Sequence, residues 1–255
     1  MMSLPQALCS IWQSSIGKKL IVAITGAMLV GFLLGHMSGN LLVFAGRDAL
    51  NSYAQFLHGM LHGTGIWVAR IGLLGAIGLH IWGTVKLSLE NRAARKNEYE
   101  MDATVQASRS SRIMVISGLT ILAFVVFHLL HYTVQVQESL RTLVDQQHLA
   151  ATGLERHDVY GMVIRGFQNV FVSLFYIVAI SLLCSHLHHG IGSIFQTLGW
   201  RNKKNHNAIE LLGKGVSFLI WAGFVIVPLS VLLGVISFQP FDPNDVAAPA
   251  IQAGL

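Results

Sequence analysis

Residues 20–44 read LIVAITGAMLVGFLLGHMSGNLLVF. Across them there is no acid, no Lys and no Arg, and the one ionisable side chain is His36. As a helix this stretch rises about 37 Å, more than the ~30 Å hydrocarbon core of a bilayer. The reading that decides it decides the rest of the chain, because four further apolar runs follow at about 66–89, 112–134, 161–187 and 213–238. The 255 residues are 53% hydrophobic and 11% charged, with a mean hydropathy of +0.58. Soluble domains carry roughly a quarter of their residues as charges, so a soluble globular protein is excluded. The predicted class is an all-α membrane protein with five transmembrane helices in a single integral-membrane domain, 1–255.

The charge follows topology. Twelve of the 17 Lys and Arg lie at one set of ends: Lys18 and Lys19; Lys86, Arg92, Arg95, Lys96, Arg109 and Arg112; and Arg201, Lys203, Lys204 and Lys214. Most acids, among them Glu138, Asp145, Glu155, Asp158, Asp242 and Asp245, lie at the other. Basic residues stay on the cytoplasmic side, so the N-terminus is predicted to be cytoplasmic in a multi-pass protein of the cell inner membrane. The net charge of +5 is therefore a lipid-bilayer signature, and no nucleic-acid partner is expected. The run behind Lys18 and Lys19 is too long for the h-region of a cleaved signal and reads as the first span. Cys9 and Cys184 are distant and form no C-x-x-C, which argues against a disulfide framework or a zinc site.

Polar residues inside the spans carry the chemistry. His36, His80, His128 and His186 each sit in a different apolar run, where an imidazole needs a partner. Counted at 1.5 Å per residue, His36 lies about 25 Å from Lys19 and His128 about 24 Å from Arg112, while His80 lies about 9 Å from Lys86. His186 is likewise placed at the inner end of its run. The four sort into an outer pair, His36 with His128, and an inner pair, His80 with His186. Two levels of paired imidazoles suit two bis-histidine haems held without covalent attachment, since there is no C-x-x-C-H. Two axial ligands leave no open iron position, so electron transfer is expected rather than oxygen chemistry. The fifth run has no histidine and is predicted to pack outside a four-helix haem bundle, with Pro228 as a kink. Zinc or copper transport is the reading without haem, and it would want ligands converging at one depth.

Weaker candidates surround these. Gly26, Gly31, Gly35 and Gly39 allow close approach of a helix or a flat macrocycle. His58 and His62, four apart, would share a helical face, as an interfacial helix with two hydrated histidines. His131, His188 and His189 are expected near span ends, solvated or beside haem propionates, with His189 the rival of His186. Arg70, Tyr53, His58 and His131 lie at the outer level as candidate quinone contacts. The loop 135–160 is polar and predicted to hold a short surface helix; the tail 239–255 is predicted to be poorly ordered.

Ser14-Ser15-Ile16-Gly17-Lys18-Lys19, Thr25-Gly26, and His36-Met37-Ser38-Gly39-Asn40-Leu41-Leu42 resemble the first span of a known family. Ser117-Gly118 with His128-Leu129 resemble its third, and His186-Leu187-His188-His189-Gly190 with Gly199-Trp200 the end of its fourth. The family is the succinate dehydrogenase/fumarate reductase cytochrome b subunit, the single-chain dihaem membrane anchor, in its cytochrome b558 subgroup. The resemblance implies His186 rather than His189 as the axial ligand. It implies two haem b groups, with menaquinone or ubiquinone as substrate. It implies a flavoprotein subunit and an iron–sulfur subunit on the cytoplasmic face, which carry the dicarboxylate chemistry; this chain would have no catalytic dicarboxylate site of its own. Some family members carry a glutamate two residues before the inner histidine of span four; Cys184 stands there in this chain. Another dihaem anchor, of a formate dehydrogenase or a hydrogenase, has the same histidine logic.

Overall fold

The computed structural model describes residues 12–93 and 114–241, and of Val115 the backbone alone. The expectations for Cys9, for the charges between Arg95 and Arg112, and for Asp242 and Asp245 fall outside the described residues.

All regular structure among the described residues is helical. In chain order it comprises α1 (Ser15–Leu41), α2 (Arg47–Gly59), α3 (Thr64–Ala93), α4 (Met114–His128), α5 (Glu138–Arg141), α6 (Gln146–Thr152), α7 (Val159–Gln168), α8 (Val170–Thr197) and α9 (His206–Leu232). Five stretches are long and apolar enough to cross a membrane: Ser15–Ala45, Arg47–Ala93, Ile116–Thr133, Val170–Thr197 and His206–Leu232. A helix is the form such a stretch must take, because it satisfies every backbone N–H and C=O internally. Exposed apolar side chains recur at helical spacing: Ile24, Met28 and Phe32 on α1, and Phe171, Leu174 and Val178 on α8. Such faces suit lipid.

Two boundaries differ from the sequence reading. The run 161–187 is two helices, because Asn169 leaves the helical region at ψ 111. Its carboxamide oxygen then accepts from the N–H groups of Phe171 and Val172 at 3.0 and 3.3 Å, an N-cap that starts a new helix. α8 then continues to Thr197, eleven residues past His186, so that histidine lies inside the helix and not at its end. The second difference is at 58–62. His58 lies in the last turn of α2, but Leu61 and His62 have φ of 50 and 54°. This left-handed turn takes His62 off the helical face of His58, so the two are not stacked i, i+4 neighbours. α9 runs as one helix through Pro228.

The chain divides into two compact units. The first comprises residues 1–36, 66–119 and 182–221. In it α1 and α3 approach closely: a Cβ on Gly83 would stand 2.6 Å from Val22 Cγ2. Their ends are tied where the Lys18 ammonium donates to both Glu90 carboxylate oxygens at 2.7 and 2.8 Å and to the Gln13 carbonyl at 3.0 Å. Lys18 is buried, so the pair neutralises a charge that could not otherwise stay there.

The second unit comprises residues 37–65, 120–181 and 222–255. Here α2 packs on α7 around a buried polar knot. The Asn51 carboxamide donates to Asp145 at 2.8 Å and Asp158 at 3.0 Å and accepts from the Tyr160 N–H at 2.8 Å. Arg156 donates to Asp145 and, at 2.6 Å, to Asp48, and Arg47 donates to Asp158 at 2.8 Å. Both central carboxylates are at most 1% exposed. Burial alone would push the Asp145 carboxyl up. The bonds from Asn51, the His148 N–H and Arg156, with the Arg156 charge, hold it below its ordinary value. The loop 135–160 thus contains two short helices, α5 and α6, pinned by this knot. Gly46, at φ 102°, makes the left-handed turn that admits α2.

Candidate functional site

The first unit holds His80 on α3 and His186 on α8. The His80 Nδ1 lies 3.2 Å from the Val22 carbonyl and 3.2 Å from the Thr25 hydroxyl. Thr25 uses its own proton on the Ile21 carbonyl at 2.7 Å, so both groups facing Nδ1 accept. The proton therefore sits on Nδ1, and Nε2 keeps its lone pair. His186 repeats this on other helices. Its Nδ1 lies 3.2 Å from the Ser117 hydroxyl, which donates to the Met114 carbonyl at 3.0 Å. Among the described residues neither Nε2 has a hydrogen-bond partner.

Glycines supply the room. A Cβ on Gly26 would meet His80 Cε1 at 3.3 Å, and one on Gly118 would meet His186 Cε1 at 3.7 Å. Thr25-Gly26 and Ser117-Gly118 thus do the same work: a hydroxyl fixes the tautomer, and a bare glycine lets the ring edge lie against the helix. The two imidazoles are within electrostatic reach of each other. His189 has no such clamp; it lies within reach of His188 and Arg201. His36, the last residue of this unit's first segment, stacks on Phe32 at 5.3 Å and 10°.

In the second unit His128 closes α4, and a π-helical turn follows at Leu129–Thr133, with the Val134 N–H donating to the Leu129 carbonyl at 2.7 Å. Such turns often mark functional positions. The Tyr176 hydroxyl lies 3.3 Å from the His128 Nδ1 and 3.1 Å from the His131 Nδ1. His131 is buried, so of the two positions expected for it, solvated or beside a haem propionate, the solvated one does not hold. Phe124, Phe127, Phe167 and Phe175 ring Tyr176. The buried Tyr132 hydroxyl, against Gly166, has no hydrogen-bond partner among the described residues.

The remaining candidates have local roles. Tyr53 packs on Gly39. The His58 Nδ1 pairs with its own Ala54 carbonyl at 2.8 Å. Arg70 covers the Trp67 ring at 5.0 Å. Among the described residues no group of three or more His, Cys, Asp or Glu could hold a metal ion. The residues that spacing had not singled out are Tyr176 and the hydroxyl partners. Tyr176 did carry a signal, a polar tip within the apolar run VFVSLFYIVAISLL at 170–183.

Comparison with protein-family models, with curated proteins and with solved structures gave no match.

Proposed function

We propose that this chain is the dihaem cytochrome b anchor of a succinate:quinone oxidoreductase, passing electrons between an iron–sulfur subunit and membrane quinone. The observation that carries the reading is the matched pair His80 and His186, each a neutral Nδ1–H imidazole with a bare Nε2. That is the donor set an axial haem ligand requires, with the oriented outer partner that ligating histidines need. A single histidine made this way would be a satisfied core residue. Two of them, on facing hydroxyl–glycine dipeptides, argue for a shared ligand.

In this reading His80 and His186 would hold the inner haem b and His36 and His128 the outer one, so the ligands come from α1, α3, α4 and α8. α9 contributes no ligand and stands outside this ligating set. Haem b, when bound, supplies a one-electron iron couple. The chain's own part is to orient the imidazoles, exclude water and place quinone within reach. The basic ends dock the iron–sulfur and flavoprotein subunits on the cytoplasmic face of the inner membrane, and those subunits carry the dicarboxylate chemistry.

The test is purification from native membranes, with haem quantified and partners identified. Two b haems per chain, a co-purifying flavoprotein and iron–sulfur protein, and succinate:quinone reductase activity are expected. Two haems with a different dehydrogenase would assign the chain to a formate dehydrogenase or hydrogenase anchor. Absence of haem from the chain would defeat the reading and favour a histidine-lined metal transporter.

A further inference from the structure

The two hydroxyl partners of the first unit each spend their proton on a carbonyl of their own helix. Tyr176 does not. Its phenol has one proton and faces two imidazole nitrogens, at 3.3 Å on His128 and 3.1 Å on His131. Those two nitrogens cannot both be acceptors, because one proton cannot serve two. A buried phenol whose proton found no acceptor would carry the cost of an unmade hydrogen bond. Both demands are met when the phenol accepts from one histidine and donates to the other.

We propose that Tyr176 is a positioning residue for the outer haem: it accepts the Nδ1–H of His128 and donates to the Nδ1 of His131, holding the two histidines in opposite tautomers. This rests on the reading of His128 as an iron ligand. Nδ1 of His128 is engaged with the phenol, so iron takes Nε2, and the neutral ring carries its proton on Nδ1. The phenol proton then goes to His131, which is left as an Nε2–H donor. The π-helical turn carries His131, three residues beyond the ligand, onto the same phenol. The arrangement separates the two haems chemically. The inner ligands hydrogen-bond to hydroxyls or carbonyls held by their own helices, whereas the outer ligand bonds to a phenol polarised by a second imidazole. A stronger acceptor at Nδ1–H makes the ring more electron-rich and favours the oxidised iron.

The experiment is redox titration of the full complex in membranes, following each haem optically and by its low-spin resonance. The outer haem is identified as the one removed by His36→Leu. Tyr176→Phe keeps the ring and removes the acceptor. It is expected to retain both haems, to favour reduction of the outer one by roughly tenfold, about 59 mV for one electron, and to leave the inner one unchanged. His131→Phe leaves the phenol able to accept and is expected to give a smaller shift in the same haem. Phe175→Leu perturbs the packing around Tyr176 without touching a hydrogen bond and is expected to titrate as wild type. Wild-type potentials and resonances in Tyr176→Phe would overturn the proposal, as would an equal shift in Phe175→Leu. Absence of haem from the unmutated complex would instead defeat the reading on which it rests.

Discussion

Thr25 and Ser117 are ordinary helical hydroxyls until their partners are counted. Each bonds back to a carbonyl three or four residues earlier, which gives a hydroxyl no anomaly to detect in sequence. The histidines they orient were legible, because an imidazole in an apolar run is expensive and demands a reason. Thr25-Gly26 and Ser117-Gly118 entered only as motifs of the resemblance; the role of their hydroxyls was not legible, because its signal is geometric and lies on another helix. The same asymmetry explains His131: its place near a span end suggested water or a haem propionate, and the π-helical turn buries it against Tyr176. Ser117→Ala leaves the His186 Nδ1–H without its acceptor. Loss of an outer partner of this kind weakens metal binding by about 10–100-fold. On the proposed function, the inner haem should therefore dissociate more readily from Ser117→Ala, while Ser117→Thr retains it; haem content after detergent dilution checks this.

At the scale of elements, apolar length placed five membrane-length helices, because lipid leaves the backbone no other solution. It did not place their ends. The apolar residues of 161–168 continue straight into α8 in sequence, and only the Asn169 cap divides them. The break at Leu61 and His62 is likewise a backbone event that side-chain spacing does not encode. The knot of Asn51, Asp145, Asp158, Arg47 and Arg156 was invisible for another reason: its members are far apart in the chain and read singly as loop charges. Removing one partner of a buried ion pair costs about 3–5 kcal/mol, since the other charge stays behind. Arg156→Met should therefore lower the thermal stability of the detergent-solubilised protein strongly at neutral pH. The folded Asp145 carboxyl lies below its ordinary value of 3.8. Its contribution is thus complete above that value and is lost as the pH falls through the depressed folded one. Melting curves from pH 6 downward should show wild type losing stability at the acid end. Arg156→Met, which has already lost the pair, should show a shallower dependence.

For the whole molecule the decisive feature is where carboxylates stand. Positions 19–44, 64–89, 114–133, 170–197 and 211–232 contain no Asp or Glu. The two acids that border these stretches are engaged: Glu90 with Lys18 at 2.7 Å and Glu210 with Lys214 at 2.8 Å. Cys184 stands two residues before His186, and a thiol is a poor proton carrier at neutral pH. On the proposed function, and with quinone at the outer level where Arg70, Tyr53, His58 and His131 are the candidate contacts, electrons enter from the cytoplasmic partners and leave to quinone near His36 and His128. Protons for the quinone then come from the opposite side, and no carboxylate path returns compensating charge. Turnover should therefore move net charge across the membrane, and each charge crossing the full potential is worth about 2.3 kcal/mol per 100 mV. In sealed vesicles a potential opposing that movement should slow succinate:quinone reduction and shift its equilibrium, and an uncoupler should restore both. A rate and an equilibrium that ignore the potential would mean either quinone at the His80 and His186 level, where electron and proton enter from the same side and no charge crosses, or a proton path made without carboxylates.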